Sequence, residues 1–231
     1  MKRFWKDVSV EEADGGWTVR LDERVLKTPA RGDLVVPTET LAEAIAEEWR
    51  AVEEKIDPRA MPMTGLANAA IDRVAVATEA FAAELGKYAE GELCCYRADY
   101  PTSLVDLQAA QWDPLLDWAA ARYDVSFEKT SGIMHVDQPP ATLERLKAAV
   151  HAEDAFVLAA LSPMIRNGGS LVTALAVRHG ALEAEKAWDA TDCDRRHQAE
   201  QWGTDEEGEK AAAAKREDFL TGARFLQMLE G

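Results

Sequence analysis

The spacing of apolar residues changes once along this chain, near residue 37, and that change decides what the chain can fold into. Before it, apolar residues alternate with polar ones: Val8 and Val10, then Trp17, Val19 and Leu21. Period two places one set of side chains on one face of a strand. Asp14-Gly15-Gly16 supplies a turn, and Asp22-Glu23-Arg24 closes a hairpin to Val25-Leu26-Lys27. Thr28-Pro29 and Gly32-Asp33 break the pattern before Leu34-Val35-Val36. Beyond Pro37 the period becomes helical, with Thr38 as N-cap and Leu41, Ile45, Trp49 and Val52 on one face. So few short strands cannot stand alone. The expected class is α+β: a β-rich N-terminal domain with one helix over residues 1–60, then a larger α-helical domain over 61–231.

Reading on, the acids Glu39, Glu43, Glu47, Glu48, Glu53 and Glu54 form the solvated face of the first helix. Met61-Pro62-Met63-Thr64 leads into a long alanine-rich helix predicted from Leu66 to Tyr88. Another starts near Ser103, is interrupted at Asp113-Pro114 and resumes through Tyr123. Val125-Ser126-Phe127 suits a lone strand, and Pro139-Pro140 opens a further helix. Residues 155–165 are apolar almost all round, which marks a buried helix. Gly168-Gly169-Ser170 sits before a helix like a phosphate-binding turn, but it lacks the lysine-bearing pattern and a preceding strand. An ordinary helix–helix turn is the simpler reading, and no ATP site is expected. The next helix runs from Ala181 through Trp202. Thr204 and Glu207 form a capping box for the one that follows.

The formal net charge is −16, which argues against a nucleic-acid or anionic-membrane surface, since both need basic patches. No apolar run approaches the roughly 20 residues of a membrane span, and Met1 to Trp5 lead into no signal-peptide core. Cys94, Cys95 and Cys193 make no disulfide framework, which suits a reducing compartment, and no zinc spacing is present.

Residues 192–207 carry more charge than a buried helix tolerates, together with an indole. Asp194, His197 and Glu200 offer metal-ligand atoms, so a metal-dependent hydrolase is one reading. However, the His-x-x-Glu order occurs once, and the chain has no HExxH, GxSxG or dinucleotide glycine motif. Cys193 lies one turn from His197, a chance spacing more readily than a nucleophile and its base. A binding surface fits better. Asp194, Gln198 and Trp202 follow at four-residue steps, with Glu200 to the side. Against this stands the simpler option that Trp202 packs inward.

Several separated motifs share a further property. They are Trp17 to Pro29, Val36-Pro37, Leu41 to Trp49, Met61-Pro62-Met63-Thr64, Cys95-Tyr96-Arg97, Gln111 to Leu115, Ser131-Gly132-Ile133 and Gln198 to Gly203. In that order they resemble the assembly chaperones of the F-type ATP synthase catalytic sector, in particular the members that hold the α subunit before it joins β. The chain departs from that pattern at Arg195, where a second acid is usual, and at His197, where an aromatic is usual. The resemblance implies a two-domain α+β fold and a non-catalytic chaperone with no cofactor and no metal. It implies partner contacts at Asp194, Gln198, Glu200, Trp202 and Gly203, with the unassembled α subunit as partner. A monomer working in the bacterial cytoplasm is the corresponding expectation.

Overall fold

The computed structural model describes residues 2–132 and 134–231. Met1 and Ile133, the end of the Ser131-Gly132-Ile133 motif, lie outside the described residues. An N-terminal antiparallel sheet is followed by a chain that is mostly helical, so the α+β class holds. Two compact units can be distinguished. The first comprises residues 1–78, 154–160 and 224–231, and the second residues 79–153 and 161–223. The boundary expected at residue 60 therefore falls inside the first unit.

In the first unit, β1 (Val8–Ala13) pairs with β2 (Gly16–Leu21) from Val8↔Leu21 to Ala13↔Gly16. The other edge of β2 is shared by two short strands, β3 (Arg24–Val25) and β4 (Val35–Val36). Gly16 is required at the crossing of β2 and β4. Its φ is 154°, and a Cβ there would lie 2.2 Å from the carbonyl oxygen of Val36. Asp22, at φ 54°, turns its carboxylate back to accept from the Lys6 and Asp7 N–H groups at 2.9 and 3.0 Å. α1 (Glu39–Arg50) is capped by Thr38 and lays Leu41, Ile45 and Trp49 against the sheet, where Val19, Leu21 and Val36 are buried. Trp5 meets Trp49 edge to face at 5.1 Å.

The short helix α2 (Pro62–Ala69) explains why this unit continues past residue 60. Glu48, expected on the solvated face of α1, instead caps α2. Its two carboxylate oxygens accept from the N–H of Met63 at 2.6 Å and of Thr64 at 2.8 Å, and from the Thr64 hydroxyl at 2.7 Å. The predicted long alanine-rich helix is not continuous. α2 passes into a π turn over 70–74, and a new helix, α3 (Thr78–Gly86), starts after it. The Thr78 hydroxyl donates to the Val74 carbonyl at 3.0 Å and so takes up an acceptor at this break.

Among its described residues the regular structure of the second unit is helical but for one parallel pairing, β5 (Tyr96–Arg97) with β6 (Thr130–Ser131). The lone strand expected at 125–127 is displaced to β6, which has β5 as its partner. α4 (Thr102–Tyr123) runs unbroken through Pro114, so the expected interruption is absent. The remaining helices are α5 (Pro140–His151), α6 (Ala155–Gly168), α7 (Leu171–Arg178), α8 (Ala184–Thr191), α9 (Cys193–Trp202) and α10 (Glu206–Leu229). The first residues of α6 and the last of α10 belong to the first unit. Trp112, Leu115, Leu116 and Ala119 of α4 share a buried cluster with Cys94, Cys95, Val172, Ala176, Ala190 and Cys193. Among the described residues no helix is long and apolar enough to cross a membrane.

Candidate partner-binding site

The helix predicted from Ala181 to Trp202 is two helices. α8 ends at Thr191, and α9 starts at Cys193 after Asp192, whose φ and ψ of −99° and 6° lie outside the helical range. Asp192 accepts from the Arg195 guanidinium at 2.8 and 2.6 Å, and the same guanidinium reaches Glu209 of α10 at 2.6 Å. Arg195, the departure from the expected acid pair, thus ties the start of α9 to α10. Arg196 is held by Asp189 at 2.8 Å.

The residues expected to act together are distributed around α9. Asp194 is half-buried and accepts from Gln108 of α4 at 2.7 Å. Gln198 and Glu200 are exposed, and the Trp202 indole is 79% exposed. Asp194 therefore does not share a free face with Gln198 and Trp202. Four residues advance a helix by about 400°, so each step drifts about 40° and two steps carry a side chain about 80° round. His197 turns the opposite way from its exposed neighbours. It is buried, its Nε2 is 2.9 Å from the Ser103 hydroxyl, and its Nδ1 has no partner among the described residues.

This geometry corrects the metal reading. Asp194 is engaged with Gln108, His197 with Ser103, and Glu200 points into solvent. Among the described residues no three His, Cys, Asp or Glu side chains are grouped to hold a metal ion. Cys193 and His197 do not pair either. The Cys193 thiol lies 3.6 Å from Asp194, and burial, reinforced by the Asp194 charge, pushes its pKa up to about 12. Such a thiol is no nucleophile near neutrality.

At its C-terminal end α9 stops at Gly203, with φ 81° and ψ 176°, a backbone suited to glycine. Asp205, rather than Thr204, then caps α10. Its Oδ1 accepts from the Gly208 N–H at 2.7 Å, so Glu207 lies in the first turn and no capping box forms. Trp202 overhangs a shallow recess of about 220 Å³ between α9 and the start of α10, lined by Arg195, Gln198, Gly203, Thr204 and Glu209.

Gln108 is the residue that sequence reasoning missed. It is 1% exposed, and its two ends face different elements. Oε1 accepts from the Ala98 N–H at 2.7 Å, and Nε2 donates to Asp194 at 2.7 Å. The signal was present. Leu104, Gln108 and Trp112 follow at four-residue steps, so an amide interrupts the buried stripe of α4 and must find polar partners there. The N-terminus of α7, after Gly168-Gly169-Ser170, is occupied by an acid of the protein. The fully buried Glu92 accepts from the Val172 N–H at 3.1 Å, and Ser170 caps Thr173 at 2.9 Å.

Comparison with known proteins adds the following. The family model described as ATP12 chaperone protein matches residues 2–120. The chain is similar to Protein atp12, mitochondrial, of Schizosaccharomyces pombe, with 26% identity over 215 residues, covering 88% of this chain and 74% of that protein. Among solved structures it is similar to Atp12 from Paracoccus denitrificans, at a TM-score of 0.95 and 46% identity, covering 99% of this chain and 98% of the other. It is also similar to the Atu1473 protein of Agrobacterium tumefaciens, at a TM-score of 0.93 and 37% identity, covering 99% and 86%.

Proposed function

The chain belongs to the ATP12 chaperone family of ATP synthase assembly, and we propose that its client is the unassembled α subunit of the F-type catalytic sector. It holds that subunit, shields the surface that β later covers, and gives way when β arrives. Its place of work is the bacterial cytoplasm, and it carries out no reaction. Physically, a subunit separated from its neighbours exposes a large apolar patch, and such patches associate nonspecifically. A standard interface buries about 1,600 Å² in total, so a holder of this size can cover much of one.

The observation that supports this reading is Trp202, a large apolar side chain that stands 79% exposed on the same helix as the exposed Gln198 and Glu200. Aromatic side chains of this kind are common anchors of protein interfaces. Asp194 acts at one remove, by fixing α9 to Gln108.

Purified α subunit diluted from denaturant should scatter less light in the presence of the full chain, and purified β should not be protected. Equal protection of both would leave a general holder and remove the α assignment. Glu200→Lys and Trp202→Ala should weaken capture of α while the thermal midpoint stays at the parent value, since neither side chain is packed in the core. If both bind α like the parent, the contact lies elsewhere on the chain.

A further inference from the structure

α4 and α9 run antiparallel, and two contacts show it. Gln108 of α4 meets Asp194 of α9, and Ser103 of α4 meets His197. Descending α4 therefore corresponds to ascending α9. Carried one step further, the segment just before α4 lies at the same end of the pair as the C-terminal turn of α9. That segment holds Asp99 and Tyr100. Tyr100 is 81% exposed, more than Trp202. The Gln108 amide binds both sides of this arrangement, holding Ala98 through Oε1 and Asp194 through Nε2.

The charges at this end are one-sided. Arg195, Arg196 and Lys210 are each spent on acids of the chain itself: Asp192 with Glu209, Asp189, and Glu206. Asp99, Glu200 and Glu207 are exposed, and among the described residues none has an ion-pair partner. Two exposed rings thus stand close in sequence to acids that have no ion-pair partner among the described residues. Complementarity requires a partner with apolar side chains and cations beside them.

We propose that Tyr100 and Trp202 are the two anchors of one docking surface, built from segments about a hundred residues apart in sequence. Its occupant is an apolar segment of the α subunit flanked by lysine or arginine. This deepens the function proposed above and rests on it. Gln108 positions both anchors without touching the client. Asp194 then matters as the acceptor that keeps α9 in register with α4.

The test uses the full chain and immobilised overlapping peptides of the α subunit, next to capture of whole α. The peptides retained by the parent should combine leucine, isoleucine, valine or aromatic residues with neighbouring lysine or arginine. Tyr100→Ala and Trp202→Ala should each weaken retention of the same peptides about tenfold or more, as single aromatic anchors do at interfaces. Both side chains are exposed, so the thermal midpoints of both variants should match the parent and confirm that folding is intact. Asp99→Lys with Glu200→Lys should weaken retention of the cationic peptides most. Capture that survives Tyr100→Ala but is lost in Trp202→Ala would overturn the two-anchor surface and leave the α-subunit reading standing. Retention of acidic peptides would overturn the stated chemistry of the occupant. Failure of the parent to capture whole α or any α peptide would remove both.

Discussion

Glu92 has no exposed surface, and its carboxylate accepts from the Cys94 N–H at 3.3 Å and the Val172 N–H at 3.1 Å. Burial raises its pKa above the ordinary value of 4.5, while hydrogen bonds from Ser170, Val172 and Cys94 pull it part of the way back. The folded protein therefore keeps this proton over a pH range in which the unfolded chain has already released it. The contribution of Glu92 to stability is full below about pH 4.5 and declines as pH rises through the raised folded value. Replacing it with Gln should remove that decline, so the parent's Tm should fall relative to the variant's as pH rises through this window. A constant difference would show that Glu92 does not titrate there. Glu92→Ala strands two buried N–H groups, each costing about 1–3 kcal/mol. Tm should fall by roughly 2–4 °C for each kcal/mol in a chain of this length, as read by calorimetry. His197 presents the reverse case, since its Nδ1 is buried without a partner and its Nε2 partner Ser103 is exposed and can turn to water. His197→Phe removes the orphaned nitrogen at similar volume, so Tm should hold or rise. A fall equivalent to more than about 1 kcal/mol would mean that the Ser103 contact outweighs the unpaired atom.

At the level of elements, two helices begin on a glutamate that lies far away in sequence. Glu48 caps α2 with both oxygens, as Glu92 does at α7 with one. Burial raises the Glu48 pKa, and the hydrogen bonds from Thr64 and Met63 oppose that rise. Met61, the residue in the capping position of α2, has no side-chain acceptor, which is why α2 depends on α1 for its start. Glu48→Ala should cost about 1–2 kcal/mol, in the range of a lost helix cap. Hydrogen exchange should speed up first in α2, and uniform acceleration across the first unit would contradict this local role. These distant caps also show which parts of the fold were legible in the sequence. The strands around Asp14-Gly15-Gly16 and the start of α1 at Thr38 rest on neighbouring residues, so pattern reading places them well. Glu48 looked like one more acid on a wet face, because its partners are 15 and 16 residues away. Pro114 looked like a break, yet α4 is packed along its length by Trp112, Leu115 and Leu116, and that packing carries the helix through. At the candidate site, the loss of the apolar stripe along α9 was legible, but the exposure of Trp202 was not, since an indole at that position packs inward as readily as it faces solvent. Nor was the engagement of Asp194, since only the fold brings Gln108 up to meet it.

For the whole molecule, a net charge of −16 would add long-range attraction to capture if the client presents the cationic segment proposed above. The Debye length shrinks from about 8 Å at physiological ionic strength to about 3 Å at 1 M. Association of the chain with α should therefore slow by about tenfold or more between low and high salt, while dissociation changes little. Stopped-flow measurement of both rates separates the two, and a salt-independent association rate would remove charge from the account of recognition. The composition of the first unit bears on a different event, synthesis. Its sheet and α1 are translated early, but the unit also contains residues 154–160 and 224–231. Phe225 is fully buried and stacks on Phe156 with ring centres 6.5 Å apart, and Thr38 donates to the Met228 carbonyl. A ribosome that has not passed residue 223 has therefore not yet supplied the last segment of the unit that holds the sheet and α1. Stalled nascent chains that end before residue 224 should leave the N-terminal segment open to protease, although its own sequence emerged long before. On this reading the segment around β1 and β2 closes only after the codons beyond residue 223 have been read.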